Sequence, residues 1–261
     1  MPHNTYVAMG SSFAAGPGLK PRAADSPRAA GRSASNYAHL VAGRLGLALA
    51  DVTFSGATTA HILGPDDRGT PAQLDAVTAE TRLVTITAGG NDVGYLPGLT
   101  LSSFPAFAAG LPFVRRGLAA ATDAAAADAK FATLESNAAR IIAEIRSRAP
   151  GCRVLFVDYL TILPPEGVDT SPLPAATAAW GRALAARLSE TIARVAAGEG
   201  AEVVLASEAS AVHHAWAPEP WTRRFHLSLR GGAPYHPDLA GMAAVADLVT
   251  AQLALPWADA S

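Results

Sequence analysis

Tyr6-Val7-Ala8-Met9-Gly10-Ser11-Ser12-Phe13-Ala14-Ala15-Gly16 begins as an apolar run, stops at a glycine, passes two hydroxyl residues and reaches a second glycine. An apolar run of this kind suits a strand buried on both faces of a parallel sheet. Gly16, Pro17 and Gly18 bar a long continuous helix after it. A small-residue turn past the end of a buried strand is where an open α/β sheet exposes reactive groups. Ser12 is therefore a candidate nucleophile.

Working outward, further β-rich runs follow at Ala48 to Phe54, Leu83 to Thr87, Arg153 to Asp158 and Glu202 to Ala206, with the first strand at Thr5 to Met9. Each is a nearly continuous apolar run, as a doubly covered strand requires. Helical periodicity appears between the later strands. Leu134, Ala138, Ile141 and Ile145 share one face, and Trp180, Leu184, Leu188, Ile192 and Val195 mark a second helix ended by Gly198 and Gly200. A last helix spans about Leu239 to Leu253. Strand, helix, strand in repetition predicts a three-layer α/β/α sandwich around a central parallel sheet of about five strands.

Three stretches interrupt the alternation. Gly16 to Ala34, rich in Pro, Gly and Arg, reads as a surface loop, and His214 to Pro234 is irregular. Between residues 96 and 131 lies a helical insertion carrying Leu99, Leu101, Phe104, Phe107, Leu111 and Phe113. It packs on the sheet or walls an apolar pocket.

Composition narrows the function classes. With 261 residues, half of them apolar and 16% charged, the chain buries a large core and is read as one domain over residues 1–261. A net charge of −2 with mixed signs leaves no basic stripe for nucleic acid. The lone Cys152 forms no intrachain disulfide and suits a buried thiol. No stretch reaches the roughly 18–20 apolar residues of a membrane span. The N-terminal residues lack the pattern of a signal peptide, which predicts a cytoplasmic protein. His213, His214 and His226 match no common zinc spacing, and the glycines form no dinucleotide fingerprint, so no metal or cofactor is expected.

Three more blocks stand at strand ends or before the last helix: Phe54-Ser55-Gly56-Ala57-Thr58-Thr59, Thr87-Ala88-Gly89-Gly90-Asn91-Asp92 and Ala233-Pro234-Tyr235-His236-Pro237. Parallel strands end at one edge, so Ser12, Gly56 and Asn91 converge, with His236 delivered by a loop. These types suit acyl transfer. A serine needs a base near neutral pKa, and the tetrahedral oxyanion needs donors aimed in advance. Gly56 offers an N–H free of a Cβ, and Asn91 offers an amide.

Taken together, the four blocks resemble the SGNH (GDSL-type) hydrolases, serine esterases and lipases with a flavodoxin-like α/β/α fold. Order and spacing agree from residue 5 to about residue 250. The resemblance implies Ser12 as nucleophile and His236 as general base. It implies an oxyanion hole from the N–H groups of Ser12 and Gly56 and the Asn91 side chain. Two positions depart from the family pattern. Ser11 stands where an aspartate usually precedes the nucleophile, and this makes Ser11 a rival nucleophile. Ala233 stands where the catalytic acid usually precedes the histidine by three residues, and Asp238 lies on the wrong side of it. Either a main-chain carbonyl of the Gly231 to Pro234 turn holds Nδ1, giving a dyad, or a carboxylate such as Glu219 does. Asp92 is expected to order the turn that positions Asn91. The expected activity is hydrolysis of lipophilic or short-to-medium acyl esters. An acyltransferase of the same fold, or a binding protein that lost its acid, are the alternatives.

Overall fold

Strands β1 (Thr5–Gly10), β2 (Ala48–Asp51), β3 (Thr81–Thr87), β4 (Arg153–Val157) and β5 (Glu202–Val204) form one parallel sheet in the order β2-β1-β3-β4-β5. The computed structural model describes residues 5–24, 26–67, 69–105, 110–227 and 232–255. Val7 pairs with Val84 and Val84 with Val154, so the three central strands carry their β-branched and aromatic residues into a continuous core.

Burial on both faces holds for β1, β3 and β4, but not for the two edges. Strand β2 is half-exposed along its length, and β5 buries only Val204. The edges are also shorter than the apolar runs suggested. Asp51 accepts from the Thr53 N–H (3.0 Å) and hydroxyl (2.6 Å), a side-chain turn that ends β2 before Phe54. Strand β5 stops at Val204 because Leu205 already caps helix α8.

The helices are α1 (Ser12–Ala15), α2 (Tyr37–Leu45), α3 (Thr59–Leu63), α4 (Tyr95–Ser102), α5 (Pro112–Ala121), α6 (Ala124–Arg148), α7 (Ala175–Gly198), α8 (Ala206–Ala209) and α9 (Leu239–Ala254) among the described residues. Helices α2 and α9 pack together, and α6 packs on α7, giving the three-layer α/β/α arrangement. On the second layer α3 rests on α6 and α4 on α7. Helix α6 begins ten residues before Leu134, because Asp123 accepts from the Ala125 and Ala126 N–H groups and caps it there. Its buried stripe is Phe131, Leu134, Ala138, Ile141, Ile142 and Ile145.

The insertion between residues 96 and 131 resolves into α4, α5 and the first turns of α6. Leu96 and Leu99 enter the core, while Phe113 is 67% exposed and Leu111 is exposed as well. Phe107 lies outside the described residues. Cys152 is buried, and burial pushes its thiol up to about 12. None of the described helices is long and apolar enough to cross a membrane.

Candidate active site

The carboxyl ends of β1 and β3 build the turn before Ser12. Gly10 has φ +133°, and a Cβ there would lie 2.3 Å from the Thr87 carbonyl oxygen. Only glycine permits this approach. The Ser11 N–H donates to that same oxygen at 2.9 Å. Gln73 spans the other side, its Oε1 accepting from the Gly10 N–H (2.7 Å) and its Nε2 donating to the Gly10 carbonyl (3.1 Å). Ser12 then opens α1, where a first-turn N–H has no helical carbonyl to use.

Ser12 Oγ lies 2.7 Å from His236 Nε2, across 224 residues of chain. His236 Nδ1 lies 2.8 Å from the Pro234 carbonyl oxygen. A carbonyl only accepts, so Nδ1 donates and Nε2 is left to accept from the serine hydroxyl. Burial lowers the imidazole pKa below its ordinary value, and the Pro234 carbonyl offsets part of that. The ring is therefore neutral at neutral pH. The Ala233 carbonyl instead takes the His236 backbone N–H (3.4 Å). Among the described residues the Glu219 carboxylate makes no hydrogen bond to His236; its main-chain oxygen pairs with His213 Nδ1 (2.8 Å). Asp238 caps α9, accepting from the Gly241 N–H at 2.9 Å.

Gly56 sits exposed with φ +83°, and a Cβ there would meet nothing within 4 Å. Backbone conformation therefore requires glycine at this position, rather than a close contact with protein. Neither the Ser12 nor the Gly56 N–H has a protein acceptor among the described residues. Asn91 donates one amide hydrogen to the Ala57 carbonyl (2.9 Å), which orients the amide. Asp92 accepts from the Thr59 N–H (3.0 Å) and hydroxyl, and Asn137 donates to that hydroxyl (3.0 Å). Burial raises the Asp92 carboxyl, and the Thr59 bonds pull it back. Asp92 thus ties the Asn91 turn to the start of α3, the segment that follows Gly56.

Ser11 is 2% exposed, so its side chain is buried beneath the rim. The Tyr159 hydroxyl accepts from the Gly90 N–H (2.9 Å), and its ring lies 4.7 Å from that of Phe13. Phe13 is in turn 5.8 Å from the His236 ring. Tyr159, Gln73 and Thr59 were not singled out in the sequence. Tyr159 closes the end of β4, so the strand-end rule could have found it. Gln73 belongs to no local pattern, and only the fold brings it to Gly10.

Two cavities flank this rim. One of about 380 Å³ has Gly56 and Ala57 in its wall with Val52, Phe54 and Pro71. The other, about 350 Å³, lies between the segment after β4 and α7, and meets the site through Ala88 and Tyr159. Neither of these two cavities is lined by the described part of residues 96–113.

Residues 8–244 match the model of the GDSL-like lipase/acylhydrolase family. Lipase 2 of Streptomyces coelicolor is 32% identical over 246 residues, covering 90% of this chain and 81% of that protein. Among solved structures, the phospholipase A1 of Streptomyces albidoflavus NA297 superposes with a TM-score of 0.79 at 22% identity, over 95% of this chain and 98% of that one. The extracellular lipase of Streptomyces rimosus gives 0.77 at 25% identity, over 96% and 99%. With the sheet order and the family match in agreement, this chain belongs to the GDSL-like lipase/acylhydrolase family and is a carboxylic ester hydrolase.

Proposed function

We propose that the protein hydrolyses carboxylic esters of lipophilic or short-to-medium acyl groups through an acyl-enzyme on Ser12, with His236 as general base. The observation that carries this reading is the 2.7 Å contact between Ser12 Oγ and a neutral His236 whose other nitrogen is occupied by Pro234. His236 Nε2 takes the serine proton as Oγ attacks the ester carbonyl, and the imidazolium then protonates the departing alkoxide. Water enters on the same nitrogen, attacks the acyl-enzyme and releases the acid. The negative charge of each tetrahedral intermediate falls to the N–H groups of Ser12 and Gly56 and to the second amide hydrogen of Asn91.

The nucleophile is assigned to Ser12 over Ser11 because Ser12 Oγ meets His236 Nε2 at 2.7 Å, whereas Ser11 is buried. A Ser–His dyad is favoured over a triad because Nδ1 is already paired with a main-chain carbonyl. Lipophilic esters are favoured by relatives that carry the name lipase, whereas the cavity beside Gly56 mixes Val52, Phe54 and Pro71 with Arg32, Asp66 and Asp67.

Turnover of a short p-nitrophenyl ester by the parent and by Ser12→Ala tests the mechanism, with intact-mass labelling by a fluorophosphonate to locate the reactive hydroxyl. A single phosphonate adduct on Ser12 is expected. An adduct on Ser11, or unchanged turnover in Ser12→Ala, removes the assignment.

A further inference from the structure

Tyr235 has φ +62°, the left-handed region that a bulky side chain avoids, and it immediately precedes His236. Where a turn alone is wanted, glycine adopts this conformation without strain. A tyrosine here needs its side chain for something. That side chain is fully buried, and its hydroxyl lies 2.6 Å from Ser103 Oγ. The Ser103 hydrogen is committed to the Leu99 carbonyl at 2.9 Å, so the phenol is the donor. Trp216 and Phe225 flank the ring at 6.2 and 6.3 Å. On the main chain, Tyr235 N–H donates to the Arg223 carbonyl and Arg223 N–H to the His236 carbonyl, both at 3.0 Å.

We propose that Tyr235, pinned by Ser103 in this left-handed conformation, is the positioning residue that orients the His236 imidazole in the absence of a carboxylate. The inference rests on the Ser12–His236 reading above. The reversal at residue 235 folds the chain so that the Pro234 carbonyl returns to Nδ1 of the histidine two residues on. Without an anchor the strained residue relaxes to negative φ, and the carbonyl swings away from the ring. Ser103 supplies that anchor from the end of α4. The other end of α4 follows the Asn91 turn, where the Tyr95 N–H donates to the Gly90 carbonyl at 2.8 Å. One short helix therefore joins the proposed oxyanion donor to the device that aims the base. Tyr235 touches no reacting atom; it acts through Pro234 and His236.

The test compares steady-state hydrolysis of p-nitrophenyl butyrate by the parent, Tyr235→Phe, Ser103→Ala, the double variant and Tyr235→Gly, with fluorophosphonate labelling of each. Tyr235→Phe keeps the ring and loses only the pin. Its kcat is expected to fall about tenfold with KM within about twofold, a small part of the roughly 10²–10⁴-fold that a positioned base contributes. Ser103→Ala should match it, and the double variant should lose no more than either single change, since the two groups form one contact. Tyr235→Gly, which removes strain and pin together, should lose more than the phenylalanine variant. It should also lose the Nδ1–H proton resonance that the hydrogen bond to Pro234 should give in the parent. Full kcat in Tyr235→Gly overturns the proposal, as does kcat within twofold of the parent in both Tyr235→Phe and Ser103→Ala, or a loss carried by KM. If the parent itself is not labelled on Ser12, the underlying mechanism has failed and the proposal falls with it. Labelled Ser12 with indifferent Tyr235 variants sinks the pin alone.

Discussion

On the strand side of the cleft, Gly10, Ser11 and Asn91 are held by the ends of buried strands and by loops bonded directly to them. On the loop side, His236 depends on a residue in strained backbone whose phenol reaches a serine 132 positions away. The first side gains its order from the sheet, whose hydrogen bonds would form whether or not a site existed. The second has no sheet beneath it. It holds a conformation costing roughly 1–3 kcal/mol, offset by burying one aromatic side chain and pairing its hydroxyl. Preorganisation is thus inherited on one side and built for the purpose on the other.

The largest expected effect addresses both sides at once. His236→Ala should lower kcat by about 10⁴-fold or more, leaving only the residual catalysis of oriented donors; single-turnover kinetics with a p-nitrophenyl ester measures it. Asn91→Ala then attacks the strand side alone. A loss of about 10²–10³-fold in kcat is expected, the usual consequence of deleting one oxyanion donor, with fluorophosphonate labelling of Ser12 retained.

Asp92→Ala should weaken the strand side indirectly, since it frees the Thr59 N–H and hydroxyl. A stability loss of about 2 kcal/mol by urea unfolding is expected for losing hydrogen bonds to a buried charged group. If stability is unchanged, the strand side is not held by this network.

The loop side has a pH signature. Burial holds the His236 pKa below its ordinary 6.5, so the acid limb of kcat/KM should lie below pH 6.5. The unfolded chain protonates this imidazole at higher pH than the folded one. Its contribution to stability therefore falls as pH drops from the unfolded value toward the folded one. A limb midpoint above 6.5 would contradict the buried, neutral ring. Smallest of all, Glu219→Gln should change kcat by less than about twofold if Pro234 alone holds Nδ1. A loss of several hundred-fold would move the orienting role to that carboxylate.

Much of this architecture was legible in the linear pattern. The central strands were readable because a doubly covered strand must be apolar throughout, as Tyr6–Met9 and Leu83–Thr87 are. The edges were less readable. An apolar run such as Ala48–Phe54 looks central until Asp51 captures its own backbone. The insertion left two readings open for a related reason: composition cannot separate Leu99, which is core, from Phe113, which faces solvent.

Local chemistry also pointed to Ser12, Gly56, Asn91 and His236, because the strand-end rule and the small-residue turns are properties of short segments. The sequence by itself determined the layered α/β/α plan and the set of groups that could meet at its rim. Only the tertiary structure decided that Pro234 rather than Glu219 faces the imidazole, that Gln73 braces Gly10, and that Ser103 holds Tyr235. Those contacts join residues far apart in the chain through single side-chain atoms. Periodicity and composition carry no information about such pairings, because the loop geometry that creates them exists only once the core is packed.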